Sequence, residues 1–145
     1  MPGNEAMRLY FDSCTAIYLV ERREPWHTRI RAQFDRLQAS ISEVIFSDLN
    51  RLECRVVPLA LNRSDVLADY DEYFSSPGMV WFPLQPKVFD LATELRARHR
   101  LKTPDALHLA AAIQSGCHQL WTNDLRLTQA AAGHIEIVAF TEPSS

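Results

Sequence analysis

Short apolar runs alternate with helical stretches along the whole chain, and that alternation leaves few folds open. Leu9-Tyr10-Phe11, Val44-Ile45-Phe46, Met79 to Phe82, Leu120-Trp121-Thr122 and Ile135 to Ala139 read as strands. The stretches between them read as helices. One runs from Ser13 to Glu21. A second opens at Pro25 and continues to about Ala39, with Ile30, Phe34 and Leu37 on one face. Ser47 caps a third, which carries Leu49, Leu52, Val56 and Leu59 at helical spacing. Ser64 is the expected cap of a helix from Asp65 to about Phe74, and Ser76-Pro77-Gly78 is a turn. Pro86 starts a helix bearing Val88, Leu91, Leu95 and Arg98. Thr103 is the expected cap of the next, with Pro104 at its first position and Gly116 as its stop. Leu125 to Ala132 is the last helix. Parallel neighbours need long crossovers, which helices supply. The pattern predicts an α/β domain: a mostly parallel sheet of four to five strands with helices on both faces.

A length of 145 residues suits one domain over the whole chain, with a core from about 8 to 140. The ends, Met1 to Ala6 and Glu142 to Ser145, are expected to be loose. No apolar run approaches the roughly 20 residues that span a bilayer, and Met1 to Ala6 lacks the regions of a signal peptide. Cys14, Cys54 and Cys117 make an odd count without close pairing, which fits a reducing cytoplasm. A net charge of −3 argues against a protein that coats nucleic acid. The basic charge is nevertheless 13 arginines against two lysines, and arginine's planar fork suits phosphate. Arg22, Arg23, Arg29, Arg31 and Arg36 form one group, and Arg96, Arg98, Arg100 and Lys102 another. For any single arginine the ordinary reading comes first: a solvated helix face, and for the second group a favourable helix C-terminus.

Four acids fall where strands and helices would deliver them to one edge of the sheet. Asp12 and Asp124 lie just past strand ends, where parallel sheets bind ligands. Asp105 lies in a first helical turn, and Glu53 one turn after Leu49. Carboxylates gathered this way repel unless a cation sits between them, which suggests a hard divalent metal and phosphate chemistry. Taken singly, each has an ordinary reading: strand-end acid, solvated helix glutamate, first-turn acid, and N-cap for the helix after Asp124. His108, one turn after Asp105, is a proton shuttle or RNA contact on one reading. On the other it is a packed histidine bonding a backbone carbonyl. The cysteines lack zinc-site spacing and read as small buried thiols. Asp65, Asp69, Asp71 and Glu72 read as a solvated helix surface. Trp81 and Trp121 lie in strands that are expected to be buried; Trp26 is a candidate for base stacking.

The string Leu101-Lys102-Thr103-Pro104-Asp105-Ala106-Leu107-His108-Leu109-Ala110-Ala111-Ala112, followed by Leu120-Trp121-Thr122-Asn123-Asp124, resembles the second half of a PIN domain. Tyr10-Phe11-Asp12-Ser13 matches its first-strand motif, and Ser47 through Glu53 the helix that brings the second acid. The resemblance covers about Arg8 to Ala139 and lies nearest the VapC-type toxins of bacterial toxin–antitoxin pairs. It implies a PIN fold and a metal-dependent endoribonuclease. Asp12, Glu53 and Asp105 would hold Mg²⁺ or Mn²⁺, and Asp124 would complete the pocket. Thr122 and Asn123 would shape the loop that presents Asp124. The products would carry 5′-phosphate and 3′-hydroxyl ends. The resemblance further implies an RNA substrate, a small VapB-like antitoxin and a homodimer. The helices from Ser13 to Ala39 offer apolar faces for the antitoxin. Two positions depart from the usual pattern. Ser13-Cys14 follows the first Asp, and Asn50 stands where Ser or Thr is common, keeping hydrogen-bonding support.

Other readings are a PIN nuclease that processes RNA without being a toxin, and a PIN-like module that binds without cleaving. A haloacid-dehalogenase-like phosphatase would need a carboxylic acid where Cys14 stands. A response-regulator receiver would need a lysine after a late strand, which neither Lys87 nor Lys102 supplies.

Overall fold

The computed structural model describes residues 6–140. The expectation of loose ends therefore falls mostly outside the described residues. Five strands form one sheet: β1 (Met7–Phe11), β2 (Ile41–Phe46), β3 (Met79–Trp81), β4 (Gln119–Trp121) and β5 (Glu136–Val138). Their order is β3-β2-β1-β4-β5, and every neighbouring pair is parallel. The helices are α1 (Ser13–Val20), α2 (Trp26–Leu37), α3 (Asp48–Ala60), α4 (Ser64–Phe74), α5 (Pro86–His99), α6 (Thr103–Gln114) and α7 (Leu127–Ala131). Gln38–Ser40 adds a 3-10 turn after α2.

Alternation along each strand sends side chains to opposite faces. Tyr10, Ile45 and Leu120 join Val88, Ala92 and Leu95 of α5, the apolar run of α6, and α7. Leu9, Phe11, Val44 and Trp121 pack on the other face against Ile30, Phe34 and Leu37 of α2. Leu9 and Phe11 are almost wholly buried, each contributing about 1.5–3 kcal/mol from removal of apolar surface. Ala16, Cys54 and Tyr70 join α1, α3 and α4 in a smaller cluster beside the sheet. Among the described residues no helix is long and apolar enough to cross a membrane.

Several local expectations need correction. Ser64 is the first residue of α4 rather than its cap, and Thr103 the first of α6, with Arg63 and Lys102 in the cap positions. Trp81 is 52% exposed, because β3 is an edge strand and Trp81 its last residue. Its indole N–H donates to Asp48. Trp121, by contrast, is fully buried on a central strand. Cys14 is exposed, whereas Cys54 and Cys117 are buried. On α3, Leu52, Val56 and Leu59 face outward, and the inward side is Asn50, Cys54 and Pro58. The helical spacing is as expected, but the chain itself does not cover that stripe.

Candidate active site

The strand order reverses direction between β1 and β4, where the crossover on one side gives way to that on the other. At such a point the connections leaving two adjacent strands part and open a crevice. Asp12 leaves the C-terminal end of β1, and Asp124 stands three residues past β4. The two loops are stitched together: the Asp12 amide donates to the Trp121 carbonyl at 3.2 Å, and Thr15 Oγ1 donates to the same oxygen at 2.8 Å. Asp12 is also the N-cap of α1. Its Oδ1 accepts from the Thr15 amide at 2.8 Å and lies 2.7 Å from Thr15 Oγ1, whose single hydrogen is shared between this carboxylate and the Trp121 carbonyl.

Glu53 is delivered by α3. The start of that helix is secured by Asn50, whose Oδ1 accepts from the Ser47 amide at 2.9 Å. Asn50 Nδ2 donates to the Phe11 carbonyl at 3.1 Å and to Ser13 Oγ at 3.3 Å, tying α3 to the end of β1. Ser13 Oγ donates to Glu53 Oε1 at 2.7 Å, and His108 Nε2 lies 2.7 Å from the same oxygen. Burial opposes ionisation of Glu53, but these two hydrogen bonds and the electrostatic pull of the nearby imidazole together outweigh it and hold the carboxyl below its usual range. His108 is packed, as one reading held, yet its partners are side chains rather than a backbone carbonyl. Nδ1 lies 2.8 Å from the Tyr10 hydroxyl, which in turn lies 3.0 Å from Ser47 Oγ.

Asp105 sits in the first turn of α6 and makes no side-chain hydrogen bond or ion pair among the described residues. Burial does most to raise its carboxyl above the usual range, and the charges of Asp124 and Asp12 add to this against the opposing pull of Arg126 and His108. Asp124 is turned to Arg126, which donates from Nε at 2.8 Å and from Nη2 at 2.7 Å. These hydrogen bonds hold the Asp124 carboxyl below its usual range against the opposing effect of burial. Thr122 Oγ1 accepts from the Asp124 amide at 3.0 Å, and Asn123 Oδ1 accepts from the Phe140 amide at 3.1 Å. Both residues therefore shape the loop that carries Asp124. Asp124 is not a helix cap, since α7 begins only at Leu127, behind Arg126.

All four acids act on one atom. The Cys14 thiol is pushed up to about 11, by burial first and then by the fields of Asp12, Glu53, Asp105 and Asp124. The fields of the four carboxylates thus overlap at this thiol, which stays protonated. Among the described residues no three His, Cys, Asp or Glu side chains stand close enough together to hold a metal ion as they are turned. What fits a hard divalent cation is the donor type: carboxylate oxygens whose mutual repulsion already burdens Asp105. Three of the four hold protein partners instead, namely Thr15, the Ser13–His108 pair, and Arg126. Thr15 and Arg126 were not foreseen as parts of this site. The spacing of Asp12 to Thr15 is a capping signal, and Asp124-Leu125-Arg126 places opposite charges within one turn of chain.

A groove of about 1200 Å³ lies elsewhere, among α1, α2, α4 and the start of β3; Phe11, Leu19, Phe34, Tyr73 and Met79 are in its lining, and none of the four acids is.

The family profile of the PIN domain matches residues 9–133. No curated protein matches the sequence. Among solved structures, a chain of VapBC2 from Rickettsia felis, bound to a DNA fragment from its promoter, superposes with a TM-score of 0.74 at 14% identity, covering 92% of this chain and 99% of that one. A toxin–antitoxin complex from Klebsiella pneumoniae gives 0.67 at 21% identity, over 93% and 99%. VapC20 of Mycobacterium tuberculosis, a toxin that cleaves the sarcin-ricin loop, gives 0.68 at 18% identity, over 88% and 97%. At these identities the likeness is one of fold.

Proposed function

The chain belongs to the PIN domain family, and from that premise we propose that it is a metal-dependent endoribonuclease, the VapC-type toxin of a toxin–antitoxin pair. What supports the proposal is the match to the PIN profile over residues 9–133, together with Asp12 and Asp124 just past the strands at the switch point of the sheet and the fields of Asp12, Glu53, Asp105 and Asp124 overlapping at the Cys14 thiol. Asp12, Glu53 and Asp105 would hold Mg²⁺ or Mn²⁺, with Asp124 completing the set. An ion held by these carboxylates would supply an activated water and offset charge developing on the phosphate. The chain's own residues supply the rest. Thr15 orients Asp12, Ser13 and His108 orient Glu53, and Thr122 shapes the loop bearing Asp124. Arg126, 70% exposed in its side chain, holds Asp124 and is placed to exchange that carboxylate for an RNA phosphate.

The fold likeness to chains from toxin–antitoxin structures supports a small VapB-like antitoxin as partner, and a homodimer acting in the cytoplasm belongs to the same proposal. The helices from Ser13 to Ala39 spend much of their apolar surface on the core, as Ile30, Phe34 and Leu37 do. The outward stripe of α3, Leu52, Val56 and Leu59, is the less committed apolar surface.

One observation keeps a second reading in play. With Asp124 clamped by Arg126, a PIN module that binds RNA or protein without cutting would look the same. Purified protein incubated with total cellular RNA separates the readings. Discrete fragments formed with Mg²⁺ or Mn²⁺, and lost in EDTA and in Asp12→Asn, support the nuclease. Intact RNA with folded wild-type protein and either metal favours the binding module. Growth arrest on expression, relieved by the product of a neighbouring small gene, distinguishes a toxin from an RNA-processing enzyme.

A further inference from the structure

We propose that His108 is the positioning residue of Glu53, delivering one N–H to Oε1 from a ring that Tyr10 locks in a single tautomer. The inference deepens the nuclease reading and rests on Glu53 being a metal ligand.

The argument is one of donors and acceptors. An ionised carboxylate only accepts, so the 2.7 Å contact requires the hydrogen on His108 Nε2. In the neutral ring Nδ1 is then an acceptor, and the Tyr10 hydroxyl at 2.8 Å must donate to it. Either oxygen of the Tyr10–Ser47 pair, 3.0 Å apart, can donate, and with the Tyr10 hydrogen on Nδ1 it is Ser47 Oγ that donates to Tyr10 in preference to Asn50 Oδ1 at 3.4 Å. The chain Ser47 to Tyr10 to His108 to Glu53 thus satisfies every member in one direction. Tyr10 is fully buried and His108 is 4% exposed, so water does not compete for these groups. Burial pushes the Tyr10 hydroxyl far up, which keeps it a neutral donor. Ser13 donates to the same Oε1 at 2.7 Å, so both donors converge on one oxygen and neither bond uses Oε2. Two donors on one oxygen fix the rotation of the carboxylate, and outer partners of this kind commonly govern metal affinity by about 10–100-fold. A histidine present only for packing would have no need of this directional chain.

The test uses the full chain. The first measurement is the long-range ¹H–¹⁵N spectrum of the wild type with labelled histidine. The Nε2–H tautomer at His108 is expected, and the Nδ1–H tautomer would overturn the proposal. This reading needs no variant. The second is Mn²⁺ binding by calorimetry for the wild type, His108→Gln and His108→Asn, with thermal melts alongside. The Gln amide reaches the Nε2 position and can still donate to Glu53, while the Asn amide reaches only towards Tyr10. Binding weakened about 10–100-fold in His108→Asn, and largely restored in His108→Gln, is expected. Equal affinity in all three, or Gln no better than Asn, overturns the positioning role. A wild type that binds no Mn²⁺ overturns the parent reading instead, which is a different result from three proteins that bind alike.

Discussion

Arg126 grips the carboxylate of Asp124 with two nitrogens, Nε on Oδ1 at 2.8 Å and Nη2 on Oδ2 at 2.7 Å. Both oxygens of one of the four acids are thereby occupied by a cation of the chain itself. A divalent ion has to displace that guanidinium before Asp124 can serve it. Arg126→Ala should therefore tighten Mn²⁺ binding severalfold, since Arg126 and the metal compete for one group. Calorimetric titration of both proteins checks this; unchanged or weaker binding would mean that Asp124 stays outside the metal's reach.

Asp105 bears a cost in the folded state, from burial and from Asp124 and Asp12. Asp105→Asn removes the charge and should raise the thermal midpoint at pH 7, while cleavage of RNA falls at least about 100-fold with loss of a ligand worth several kcal/mol. Scanning calorimetry beside an RNA digest tests both halves. A lower midpoint would show that the charge is already compensated. Added Mn²⁺ should raise the midpoint of the wild type and much less that of the variant.

Acid should act on Glu53 and Asp105 in opposite senses. Glu53 ionises more readily folded than unfolded. Its contribution is thus present above the ordinary glutamate pKa of about 4.3 and is lost as pH falls through the lower folded value. Asp105, raised on folding, stabilises below the ordinary aspartate pKa of about 3.9 and ceases to do so as pH rises through its folded value. Between pH 3 and 7, Glu53→Gln should flatten the acid limb of the stability curve and Asp105→Asn should steepen it. Urea midpoints at several pH values give the comparison, and parallel curves would contradict the assignment.

Trp121 is fully buried, stacks near Phe11 at 5.0 Å between ring centroids, and donates its indole N–H to Gln119. Trp121→Ala should cost about 3–5 kcal/mol. Denaturant unfolding measures it directly. Because its carbonyl also receives Asp12 and Thr15, the loss of packing should loosen the site as well as the core.

The central strands were legible because Leu9-Tyr10-Phe11 and Val44-Ile45-Phe46 are apolar on both faces, as strands buried between two helical layers must be. The four acids were legible because each follows a strand or sits at a set place in a helix. Trp81 was misjudged for a physical reason: strand character does not say whether a strand lies at the centre or the edge of its sheet. The stripe Leu52, Val56 and Leu59 was read correctly as a face, but periodicity cannot say what covers it. The partners of His108 were hidden because Tyr10 and Glu53 lie 98 and 55 residues away in sequence. No local pattern encodes such a contact.

The sheet order has a consequence in time as well as in space. β1 is paired on one side with β2, made early, and on the other with β4, which begins only at Gln119. Each parallel pairing waits on a long crossover, so the last acid and the strand that seats it are made after the other three acids. A growing chain carries Asp12 and Glu53 long before Asp124 exists. Whatever chemistry the four acids perform together is therefore withheld until Asp124 has been made and its strand seated.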